Sequence, residues 1–132
     1  MNNNRRKEIE AVADGLDNIK SQIDELAAEE ETDITRDLEV FISNENKWRK
    51  KMEDLKDDLQ NCLDEEQEYY DNMPESLQGS EKGYNSEAAI DSMQRWVDDA
   101  EEVINTEQPG DFVRSFHEMY DGMNSALVEA TA

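Results

Sequence analysis

Residues 38–73 read LEVFISNENKWRKKMEDLKDDLQNCLDEEQEYYDNM. Within them Leu38, Phe41, Glu45, Trp48, Met52, Leu55, Leu59, Cys62, Glu66, Tyr69 and Met73 follow at alternating intervals of three and four residues. This is the a/d rhythm of a helix with one continuous seam. Composition alone leans toward disorder, with 36% hydrophobic and 36% charged residues. A disordered acidic segment has no reason to keep such a rhythm, so the chain is expected to fold as helices.

The same spacing recurs on either side. Ile9, Val12, Leu16, Ile19, Ile23 and Leu26 form one run, and Ile90, Met93, Val97, Ala100 and Ile104 another. A last run holds Phe112, Phe116, Met119, Met123, Ala126 and Ala130. Asn2 to Asn4 offer capping oxygens for a first helix reaching about Glu30. Thr32 and Asp33 restart the chain, and a second helix is expected over about 33–72, ended by Pro74. Ser76 to Gly79 read as a turn. Ser80 caps a third helix reaching about Thr106, with Ser86 as the fallback start because Gly83 and Asn85 weaken the first turn. Gln108-Pro-Gly-Asp is a second turn, with Asp111 capping a last helix from Phe112 to about Glu129. No strand signal occurs.

The expected fold is all-α: residues 1–132 as a single elongated antiparallel helical bundle or coiled-coil hairpin. One long central helix acts as spine to three shorter ones. The first should lie along the N-terminal half of the spine and the third along its C-terminal half. The fourth should close one end or meet a second copy. Homodimerisation is one route to covering Phe41, Trp48, Tyr69 and Trp96, because short chains build thin cores. The plain role of these aromatic and Met stripes is core packing.

Charge narrows the function classes. Thirteen Lys and Arg against 35 Asp and Glu leave a net charge of −22. Such a field repels phosphate backbones and anionic membrane surfaces. No apolar run approaches a membrane span, and the opening Met-Asn-Asn-Asn-Arg-Arg has no apolar signal core behind it. Single Cys and His residues offer neither an intramolecular disulfide nor a two-His metal site. His117 lacks the Glu three residues earlier that a di-iron bundle needs, and reads as a surface side chain. Cys62 sits on the seam as a small hydrophobe, among acids that raise a thiol pKa. Asp64-Glu65-Glu66 and Asp98-Asp99 with Glu101-Glu102 lack a calcium-loop pattern. No phosphate loop or nucleophile elbow is present. The sequence therefore points to no enzyme, no cofactor, no catalytic residue and no metal.

The basic island Lys47, Arg49, Lys50 and Lys51 around Trp48 is expected to pair with Asp24, Glu25, Glu29 and Glu30 of the first helix. Exposed pairs of this kind contribute only ~0–1 kcal/mol each. The acids are concentrated elsewhere. From Asp57 to Glu107 there are 16 acidic and two basic residues, a net of −14 in 51 residues. On a helical hairpin this gives about one net charge per 3 Å, within a factor of two of duplex DNA at one per ≈1.7 Å. Solubility accounts for a few such charges. A density this high costs stability through self-repulsion, which suggests that the field itself is used.

At residues 64–83, DEEQEYYDNMPESLQGSEKG, the chain resembles a group of small acidic proteins encoded by bacteriophages and prophages. They carry a similar Asp-Glu-Glu-Gln…Asn-Met-Pro-Glu-Ser-Leu-Gln…Ser-Glu motif between two helices. Ala88-Ala89-Ile90-Asp91 and Asp98-Asp99-Ala100-Glu101-Glu102 fit the same pattern, and Arg5-Arg6-Lys7-Glu8-Ile9 matches loosely. The likeness covers roughly residues 60–105. It implies a viral or prophage origin and action in the cytoplasm of a bacterial host, and no site residue carries over from it.

Two functional expectations follow. The first is an acidic DNA mimic, filling the nucleic-acid groove of a bacterial defence or regulatory enzyme of the restriction or CRISPR type. Its partner is then a basic, nucleic-acid-binding protein, with no direct contact to nucleic acid or membrane. The working surface is Asp57, Asp58, Asp64, Glu65 and Glu68 on the second helix with Asp98, Asp99, Glu101 and Glu102 on the third. The alternative is a coiled-coil adaptor or scaffold, binding another phage or host protein through apolar faces around Trp96, Phe112, Phe116 and Met119.

Overall fold

The computed structural model describes residues 2–29 and 38–131, without the side chains of residues 27–29 and 38. Its helices are α1 (Asn3–Glu29), α2 (Leu38–Asp71), the single turn α3 (Glu75–Gln78), α4 (Glu81–Ile104) and α5 (Asp111–Thr131). No strand occurs among the described residues. The helical class and the long second helix are as the spacing indicates. At 34 residues, α2 is about 50 Å long. Its expected start at residue 33 lies outside the described residues.

The packing departs from the expected arrangement. α2 contacts α1 and α4, and α5 contacts both of those in turn, so the four long helices close a ring with alternating directions. α1 runs along α2 from about Trp48 to Tyr69. Gln22 accepts from the Trp48 indole at 3.0 Å near one end, Glu8 meets Cys62, and Arg5 meets Glu66 near the other. α4 covers that same length, from Ser86 at Glu66 to Ile104 at Arg49. The halves of the spine are not shared out between α1 and α4, because α5 supplies a fourth wall and allows both to lie alongside.

This geometry explains the pattern of α2. Glu45, Met52, Leu59 and Glu66 are buried on its central column. Trp48 and Cys62, on the next column, meet α1. Arg49, Lys56 and Tyr70 meet α4. A two-helix seam would bury a narrower stripe. Trp48 and Trp96 are buried within the one chain, while Phe41 and Tyr69 are half-buried. Trp48, Phe112, Phe116 and Tyr120 form a ladder with centroids 6.4, 6.1 and 5.8 Å apart. Fully burying an apolar side chain contributes ~1.5–3 kcal/mol, so this end of the core is strongly tied.

The helix ends hold both agreements and corrections. Asn2 Oδ1 accepts from the Arg5 N–H at 2.8 Å, capping α1. Ser80 is the N-cap of α4 and accepts from the Gly83 N–H, so Ser86 is not needed as a start. Gly83 is required by a close approach: a Cβ there would lie 2.1 Å from the Gln78 carbonyl oxygen. The expected turn at 76–79 is mostly helical, as α3. Asp111 does not cap α5 but lies in its first turn, accepting from Arg114 at 2.9 Å. The cap comes from Glu45 on α2, which accepts from the N–H groups of Gly110 at 2.9 Å and Val113 at 3.3 Å. Gly110 adopts φ +89°, a region that favours glycine.

Candidate functional site: an acidic groove between two helices

α1 and α2 leave a groove of about 530 Å³ between them, lined by Glu8, Ala11, Asp58, Asn61, Asp64, Glu65 and Glu68. Heptad geometry builds it. Glu8, Gly15 and Gln22 recur every seven residues on α1, facing Cys62, Leu55 and Trp48 on α2. The acids one position outward are excluded from the seam and stand along its edge. Asp14 and Asp54 continue the acidic edges into a neighbouring hollow beside Gly15 and Leu55, joined there by Lys51.

Among the expected surface residues, Asp57, Asp58, Asp64, Glu65 and Glu68 are all exposed on α2. Asp98, Glu101 and Glu102 are exposed on α4, and Asp99 is half-buried. These nine do not form one surface. Asp58, Asp64, Glu65 and Glu68 line the α1/α2 groove, and none of the four α4 acids does. Glu101 is bridged to Lys56 at 3.1 Å, between α2 and α4. Asp99 has its pKa raised, first by burial and then by Glu102. The sequence reading missed Glu8, Asp14 and Asp54, because it set the α2 acids against the third helix. The seven-residue recurrence of Glu8, Gly15 and Gln22 was the available signal.

Few of these acids are neutralised nearby. Among the described residues the ion-paired carboxylates are Asp24, Glu65, Glu66, Glu101, Asp111 and Glu129. Of the groove carboxylates only Glu65 is ion-paired among the described residues, to Arg5 at 3.9 Å. Glu8 is fixed from beneath, since the Cys62 thiol donates to its Oε2 at 3.0 Å. Burial pushes the Cys62 pKa up to about 12, and the bond to Glu8 adds to that. The thiol is a neutral donor here and not a nucleophile. His117 is exposed and packs edge-on to Phe116.

Among the described residues the basic island forms no ion pair with Asp24 or Glu25 of α1, the two expected partners whose side chains are described. Arg49 donates to the carbonyls of Ile104 and Thr106 at 3.0 Å each, closing the end of α4, and lies over the Phe112 ring. Lys51 reaches Gln22 at 3.4 Å, and Asp24 pairs with Lys20 of its own helix. The expected partners Glu29, as a side chain, and Glu30 lie outside the described residues. Arginine was drawn to the orphan carbonyls of a helix end, where its forked donors satisfy several acceptors at once.

The arrangement is suited to accepting hydrogen bonds from cations along a groove. Among the described residues no group of His, Cys, Asp and Glu side chains is placed to hold a metal ion. No described helix is long and apolar enough to cross a membrane. Compared with family models, curated proteins and solved structures, the chain has no significant match.

Proposed function

We propose that this chain is a phage-encoded acidic DNA mimic, which occupies the nucleic-acid-binding groove of a bacterial defence or regulatory enzyme of the restriction or CRISPR type. The observation that carries the reading is the exposed, largely unpaired carboxylates edging the α1/α2 groove. Two acid-bearing helices flanking a hollow offer a basic cleft what two phosphate strands would offer. The target's Lys and Arg side chains exchange phosphate contacts for charge-assisted hydrogen bonds to Asp and Glu. The net charge steers the encounter and makes it fast at low salt. Against the adaptor reading, Trp96, Phe112 and Phe116 are buried in the chain's own core and Met119 is half-buried.

Capture from a bacterial lysate at low salt, with elution by a salt step, tests the class of partner. Nucleic-acid-binding enzymes are expected in the eluate, with their DNA competing for capture. Replacing Asp58, Asp64, Glu65 and Glu68 by Asn and Gln should leave helicity intact. Binding should fall by about 1.5–3 kcal/mol for each charge-assisted bond lost. A neutralised variant that still captures its partner at full affinity overturns the mimic reading.

A further inference from the structure

The acidic groove does not end in solvent. Glu65 and Glu68 also line a second hollow of about 470 Å³ at the turn from α2 into α4. Its remaining walls are different in kind: Tyr69, Met73, Pro74 and Leu77 supply apolar surface. All of these belong to residues 64–83. Leu77 is 44% exposed, one of the few large hydrophobic residues left in water.

The turn holds Leu77 there firmly. The Leu77 and Gln78 N–H groups both donate to the Pro74 carbonyl, at 2.8 and 3.0 Å. The Gln78 side chain donates to the carbonyls of Tyr70 and Met73 at 3.1 and 3.2 Å. Gly83 lets α4 close over the Gln78 backbone. The braced backbone keeps Leu77 at the surface of the turn. The cations at the hollow are unequal. Arg5 is committed to Glu66 at 2.8 Å and lies over the Tyr69 ring. Lys82 has no carboxylate within 4.0 Å among the described residues.

We infer that this hollow is an anchor pocket for one bulky apolar side chain of a basic protein segment, whose Lys and Arg side chains lie in the adjoining groove. The occupant follows from charge complementarity: the shared rim of groove and pocket is Glu65 and Glu68, so a basic segment is attracted and an acidic one is repelled. Lys82, which also lines the hollow, meets a backbone carbonyl of the same segment. The inference rests on the proposed reading of the acidic surface and adds selectivity to it. Carboxylates alone attract any cationic chain, whereas the anchor selects those with an apolar residue at the right place.

Two synthetic peptides serve as probes on the full chain. Both are rich in Lys and Arg, one has a central Phe, and the other has Ser in its place. At moderate salt the Phe peptide should bind about tenfold more tightly, as expected for burying one large apolar side chain. It should also shift the NMR methyl signals of Leu77 and Met73. Leu77→Ser, at an exposed position, should abolish the difference while leaving the helical spectrum unchanged. Equal affinities, or a preference that survives Leu77→Ser, overturn the pocket and leave the charge reading standing. If neither peptide binds even at low salt, the acidic-surface reading fails, and the pocket fails with it.

Discussion

Glu45 and Glu66 occupy equivalent seam positions of α2, three heptads apart, and both are buried. At one end of the bundle Glu45 faces backbone: it takes the N–H groups of Gly110 and Val113 and sits at the positive end of the α5 dipole. At the other end Glu66 faces side chains, accepting from Arg5 at 2.8 Å and from Ser86 at 2.9 Å. Two acids in the same sequence setting thus solve burial differently. One satisfies a helix terminus that would otherwise be orphaned, while the other joins three helices through a charge pair to Arg5 and a hydrogen bond from Ser86. A backbone partner cannot be mutated away, but a side-chain partner can, so the two sites should break differently.

Glu66→Leu should have the largest effect. It leaves Arg5 buried without its partner, a loss of about 3–5 kcal/mol in urea unfolding. Combining it with Arg5→Met should restore most of that stability, since a buried pair replaced as a whole is nearly neutral. A loss below ~1 kcal/mol for the single change would mean that Arg5 turns fully to Glu65. Glu45→Ala should cost less, about 1–3 kcal/mol for unsatisfied N–H groups at the α5 start. Hydrogen exchange should quicken at Gly110 and Val113 and stay unchanged around Arg5. Uniform quickening across both ends would erase the distinction between the sites.

Titration sharpens the same contrast. Cys62 is near the Glu66 end, and its folded pKa of about 12 lies above its ordinary value of 9.0. The folded state therefore holds the thiol proton more tightly. That contribution is fully present below pH 9.0 and is lost as pH rises toward about 12. Chemical denaturation over this range should show stability falling, with a shallower fall in Cys62→Ala. Equal slopes would remove the thiol from the alkaline transition. The smallest effect is expected at Asp99, whose raised pKa reflects partial burial and the charge of Glu102. The penalty is present above its folded pKa and is relieved as pH falls through it. Asp99→Asn should slightly raise the melting temperature at pH 7 in low salt, and high salt should remove only the part owed to Glu102, leaving the part owed to burial.

The sequence by itself determined the helices. Alternating three- and four-residue spacing over residues 38–73, together with Ser80, Pro74 and Gly110, defines helix type and most boundaries through interactions only a few residues long. It also determined that Asp58, Glu65 and Glu68 would be exposed, because a charged side chain next to an apolar seam has only the outer face to occupy. Only the tertiary structure decided which helix each acid faces. Four helices with similar seams can be arranged in several orders, and what selects the observed ring lies far apart in the chain. Glu45 caps a helix 65 residues away, Arg49 binds carbonyls 55 and 57 residues away, and Arg5 reaches Glu66 across 61 residues. Glu45 and Glu66 stand in the periodic seam, but nothing periodic in the sequence marks their partners. Each of these contacts joins a single side chain to a few specific partners, and together they turn the α2 acids toward α1 to make the groove.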